Sequence, residues 1–64
     1  MNKFLFIVLG PADNIIWCLG ENNCSGMMKT AHDLVDEFRI CGADHCQIWA
    51  QSGRDTMLLL ATAF

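Results

Sequence analysis

Two stretches of this chain are apolar almost without interruption: residues 4–9 read Phe-Leu-Phe-Ile-Val-Leu, and residues 57–64 read Met-Leu-Leu-Leu-Ala-Thr-Ala-Phe, with no charge in either. A strand with one face in water alternates apolar and polar residues, whereas these two are apolar on both faces. Leu5, Ile7 and Leu9 fall on one side of the first, and Phe4, Phe6 and Val8 on the other. In the last strand the corresponding sets are Met57, Leu59, Ala61 and Ala63 against Leu58, Leu60, Thr62 and Phe64. Only one helical segment is available to cover a sheet built from such strands. A helix about 10 Å across is narrower than a full sheet face, and it shields one side only.

The rest of the pattern supplies the architecture. Residues 3–9 and 15–19 form a first hairpin around Gly10-Pro11-Ala12-Asp13-Asn14, with Pro11 suited to a turn and Asn14 tolerant of unusual dihedrals. A polar connection from Gly20 to Asn23 leads to a helix that begins near Ser25 as N-cap. Met27, Met28, Ala31, Leu34, Val35, Phe38 and Cys41 follow the spacing of one buried stripe, while Lys29, His32, Asp33, Asp36 and Glu37 take the other side. Gly42 ends the helix. A second hairpin joins residues 45–50 to 56–63, with Gly53 supplying a positive φ. The expectation is a single α+β domain over residues 1–64: ββαββ, a four-stranded, mostly antiparallel sheet with one face covered by the helix. Placing the apolar pair, the first and last strands, centrally gives the order 2-1-4-3, with 2-1-3-4 as the alternative.

Composition narrows the function. Hydrophobic residues make up 53% of the chain and charged residues 17%, and the net charge is −3. The charged share is below the roughly 25% of ordinary soluble domains, which argues against disorder. Lys3, Lys29, Arg39 and Arg54 are scattered singly, a poor footprint for a nucleic-acid backbone. Neither apolar run approaches the roughly 20 residues that span a bilayer. The opening run is short for a secretory signal and is followed by Pro11 and Asp13 without a clean cleavage pattern. The expected setting is therefore the cytoplasm, with free thiols.

Chemistry-bearing motifs are sparse. Cys18 and Cys24 are six apart and Cys41 and Cys46 five apart, neither of which is the usual zinc knuckle spacing. His45 and Cys46, adjacent in a strand, point to opposite faces. Asp44, His45 and Cys46 contain the elements of a nucleophilic site, but contiguous residues do not converge as that chemistry requires. No Gly-rich phosphate loop is present. The expectation is no enzyme, no metal and no cofactor.

What remains is interaction. Large exposed apolar faces mark binding surfaces, so the sheet face away from the helix is expected to meet another copy or a larger protein target, with Leu5, Ile7, Leu58 and Leu60 as oligomer contacts. Trp17 and Trp49, expected in edge strands, and the polar helix residues His32, Asp33, Asp36 and Glu37 are candidate partner contacts. The reading is a non-enzymatic protein-interaction module, a small adaptor or inhibitor acting as a homo-oligomer. A nucleic-acid-binding accessory protein and a small thiol- or zinc-dependent protein are the alternatives.

Overall fold

The computed structural model describes residues 2–22 and 25–63. Asn23 and Cys24 of the polar connection and Phe64 of the last apolar set lie outside the described residues, as do Met1 and the side chains of Asn2, Thr62 and Ala63. The elements are β1 (Asn2–Leu9), β2 (Ile15–Glu21), α1 (Met27–Phe38), β3 (His45–Ser52) and β4 (Asp55–Ala63). All neighbouring strands pair antiparallel in the order β2-β1-β3-β4, and α1 packs on one face. The α+β ββαββ architecture expected from the sequence is the one observed.

The strand order is the alternative one, so the central placement of the last strand is corrected. The central pair is β1 with β3, in unbroken register from Asn2 opposite Ser52 to Leu9 opposite His45. The helix selects this pair. It delivers the chain back beside β1, where the Asp44 amide donates to the Leu9 carbonyl at 2.9 Å and Ala43 is buried. Phe6 stands opposite Ile48 and Val8 opposite Cys46, all four essentially without solvent contact. Ala31, Leu34 and Val35 close over them from α1, on the i, i+3, i+4 spacing of a single stripe. Strand three, less apolar than the first and last strands, is expected at an edge, yet its alternate residues Cys46 and Ile48 lie at the middle of the core. β4, apolar from Met57 onward, is the edge, and Met57 is 65% exposed.

The buried stripe of α1 is narrower than its sequence period. Met27 and Phe38 pack against the core, but Met28 and Cys41 are exposed. Met28 sits about 70° from the centre of the stripe at 100° per residue. Cys41 leaves the period because the helix tightens into a 3₁₀ turn over Arg39–Cys41, which Gly42 terminates at φ 100°. The start also differs: Gly26, not Ser25, is the N-cap, with φ 69°, and its carbonyl accepts from the Thr30 amide at 2.9 Å.

Two further glycines are required by geometry. Gly53 is the first residue of the two-residue β3–β4 turn and has φ 61°, the sign that primed hairpin turns place on glycine. Gly10 is needed for space, since a β-carbon there would lie 2.8 Å from the Gly42 carbonyl oxygen, a backbone atom with little room to yield.

Urea unfolding tests both the core and the strand order. Ile48→Ala should cost about 2–5 kcal/mol as a core truncation, and Gly10→Ala about 1–3 kcal/mol as a backbone clash. Met57→Ala should stay within about 0.5 kcal/mol of the parent, as exposed positions do; a core-sized loss there would contradict an edge position for β4.

Candidate interaction surface

The sheet face away from α1 is built from the residues that alternate with the core. Along one register row Leu5 of β1 stands opposite Trp49 of β3, which stands opposite Leu58 of β4. In the next row Cys18, Ile7, Gln47 and Ala61 follow one another across all four strands. Leu5, Ile7, Gln47 and Trp49 are half-buried, and Leu58 is 43% exposed. The Trp49 indole Nε1 donates to Gln47 Oε1 at 3.0 Å. That bond satisfies the one polar group of the indole within the face and leaves an apolar ring as its surface.

A bulge decides which leucines belong to this face. Ile48 pairs with Leu60 and Trp49 with Leu58, so Leu59 is an extra residue in β4. An extra residue breaks the alternation of a strand. Leu60 therefore falls on the helix side and packs against the core, while Leu58 faces the other way. The expectation that Leu58 and Leu60 share the uncovered face is thus corrected. Leu5, Ile7 and Leu58 are there, and Trp49, a residue of a central strand and not of an edge, takes the place of Leu60.

The candidate partner contacts are distributed over three surfaces. Trp17 is on an edge strand, as expected, but on the helix side, where its ring stacks on Phe38 at 5.3 Å between centroids and 19° between planes. It covers the end of α1 and remains 48% exposed. Trp49 is on the opposite face of the sheet, so the two tryptophans form no common patch. His32, Asp33, Asp36 and Glu37 are exposed on α1. Lys29 pairs with Asp33 at 3.1 Å, and Asp36 receives both Arg39 at 3.0 Å and His32 at 3.3 Å. Exposed pairs of this kind contribute little to stability, and they use part of the acidic charge within the helix itself.

At one end of the uncovered face lies a cluster that the sequence pattern did not reveal. His45 Nδ1 meets Asp44 Oδ1, and Nε2 meets Asp13 Oδ1 at 3.0 Å. Asp13 is 32 positions away from His45 and reaches it from the β1–β2 loop. There Pro11 opens a short 3₁₀ turn, and Ala12 and Asp13 both take φ 58°. Asn14, expected to hold the unusual dihedral, is extended. Left-handed backbone at an alanine is uncommon and needs its surroundings to hold it; the Asp13–His45 bridge is one such restraint. The hydrogen bond that the ring donates to Asp44, and then the one it donates to Asp13, hold the imidazole pKa above its ordinary value of 6.5 against partial burial. At the other end of the face is Lys3, whose stem lies across Gly20, where a β-carbon would come within 2.9 Å of Lys3 Cε.

The thiols separate by environment. Cys18 and Cys41 are exposed and Cys46 is buried in the core. Desolvation pushes the Cys46 thiol up to about 11, partly offset by a backbone hydrogen bond from Ile7. A thiol so raised is almost entirely protonated at neutral pH and a poor nucleophile, and it lies across the sheet from His45. Among the described residues no group of three His, Cys, Asp or Glu side chains is placed to hold a metal ion, and no cavity is present. No helix among them is long and apolar enough to cross a membrane. Comparison with protein-family models, curated proteins and solved structures finds no match to this chain.

Two measurements follow from these environments. Because the folded pKa of His45 is raised, its stabilising contribution is complete below about pH 6.5 and is lost as pH rises through the folded value. The urea midpoint should therefore fall on the alkaline side of that window, and less so in Asp13→Asn, with the His45 ring resonances followed in parallel. In native protein at neutral pH, a maleimide should label Cys18 and Cys41 within minutes and Cys46 only on unfolding. Rapid native labelling of Cys46 would contradict its burial.

Proposed function

We propose that this chain is a non-enzymatic protein-interaction module whose working surface is the sheet face away from α1. The observation that supports the reading is the row Leu5–Trp49–Leu58, flanked by Ile7, on the side of the sheet that the helix does not reach. A chain of 64 residues has little core to spare, and setting a large indole and three aliphatic side chains on the uncovered side is costly unless another surface covers them. Trp49 is suited to be the anchor: it is central in the sheet, flanked by aliphatic residues on both neighbouring strands, with its indole N–H already satisfied. Gln47 and Cys18 give the patch a partly polar margin. The exposed carboxylates of α1 keep the opposite side of the molecule hydrated and steer approach away from it. Expected placement in the cytoplasm is consistent with exposed thiols at Cys18 and Cys41.

A photo-crosslinking side chain placed at Ile7, and separately at Asp33 on the outer helix surface, tests the reading in the native cell. The Ile7 position should yield a discrete protein adduct that disappears when Trp49 is changed to Glu in a folded variant, and the Asp33 position should yield none. Adducts at Asp33 alone would move the working surface to the helix and overturn the proposal.

A further inference from the structure

The charges around the uncovered face indicate what covers it. The chain carries seven acidic residues and a net charge of −3, so two copies repel unless they meet where carboxylates are few. Asp33, Asp36 and Glu37 lie on α1. Glu21 and Asp55 stand in register with Phe4 and Ser52, on the helix side of the alternation. Between its two ends the uncovered face has no charged residue. Its ends are of opposite sign: Lys3 lies at the start of β1, and Asp13 and Asp44 gather around His45 beside Leu9, at the finish of β1.

We infer that the uncovered face is a two-fold interface with a second copy of this chain, in which the two sheets pack face to face with their strands antiparallel. Lys3 of each copy then lies over the Asp13–Asp44 end of the other. This deepens the interaction reading above and rests on it, naming the partner and its orientation. A two-fold axis in the plane of the face and across the strands brings the Trp49 rows together near the centre and pairs opposite charges at both ends. An axis along the strands would stack Lys3 near Lys3 and the aspartates near each other. Electrostatics therefore selects the antiparallel arrangement.

The size of the face sets the strength of association. Four strands at about 4.8 Å spacing and six residue steps at about 3.3 Å give a patch roughly 20 Å by 20 Å. That is on the order of 400 Å² in flat projection per copy, about half the roughly 800 Å² per partner of a standard stable interface, so a weak dimer with a dissociation constant of tens of micromolar or more is expected.

Sedimentation of the full chain from about 1 to about 300 micromolar tests this, with each variant first shown to be folded by its amide spectrum. Wild type should pass from monomer to dimer within that range. Lys3→Glu and Asp44→Lys should each weaken self-association by about tenfold, since each homodimer then opposes like charges at both ends. An equimolar mixture of the two should recover the wild-type dimer, because both ends of the heterodimer are again complementary. If Asp44→Lys disturbs the fold, Asp13→Lys takes its place. A wild type that stays monomeric, single variants that associate as wild type does, or a mixture with no recovery would each overturn the inference. A monomeric wild type together with a foreign adduct at Ile7 would remove the second copy and leave the interaction reading standing, whereas no adduct at Ile7 would remove both.

Discussion

A single twelve-residue helix lies across the middle two strands of a four-stranded sheet, and the rest of the molecule is arranged around that contact. Ala31, Leu34 and Val35 meet Phe6, Val8, Cys46 and Ile48, and the small side chain of Ala31 lets the helix sit close to the strands. One helix is wide enough for about two strands at sheet spacing. Whichever strands it covers become the centre, and the outer two are left with partial cover. Trp17 on Phe38 extends that cover over β2, while among the described side chains of β4 it is Leu60 that packs against the core.

The bulge at Leu59 matters because β4 is an edge. In a central strand a displaced leucine would be flanked by neighbouring strands on both sides. At the edge, one added residue sends Leu60 into the core and Leu58 to the opposite face, and it leaves Leu58 and Leu59 each more than 40% exposed. The same bulge interrupts the regular β3–β4 ladder, a device that edge strands commonly use to discourage unlimited pairing. Association through the sheet face, which closes on itself as a pair, is compatible with that edge. Growth of the sheet from strand to strand is not favoured by it.

The cluster of His45, Asp13 and Asp44 links this face to the rest of the fold. It fastens the β1–β2 loop, with its two left-handed residues, to the first residue of β3. The backbone bond from Asp44 to Leu9 lies beside it, so the side chains that make one end of the face acidic also brace the entry into the central strand pair. Lys3 at the far end is accommodated because Gly20 has no side chain beneath it. The polarity of the face thus follows from structural residues and needs no dedicated charged loop.

Much of this could be read from the order of residues alone, wherever the physics is local. Strand and helix periods follow from the alternation of apolar positions, and the turns at Gly42 and Gly53 follow from the left-handed backbone those places require. The two-sided apolarity of residues 4–9 already implied a face that one helix could not cover. What the chain order could not show was decided between elements distant in sequence. Whether β3 or β4 lies beside β1 depends on where the helix returns the chain, and the apolar run of residues 57–64 pointed instead to the last strand as the central one. The separation of Leu58 from Leu60 depends on a bulge that Trp49 and Ile48 register across the ladder. The bridge from Asp13 to His45 spans 32 positions and two turns. Period and turn chemistry are set within a few residues, whereas register, strand order and clustering are settled only when the whole core packs at once.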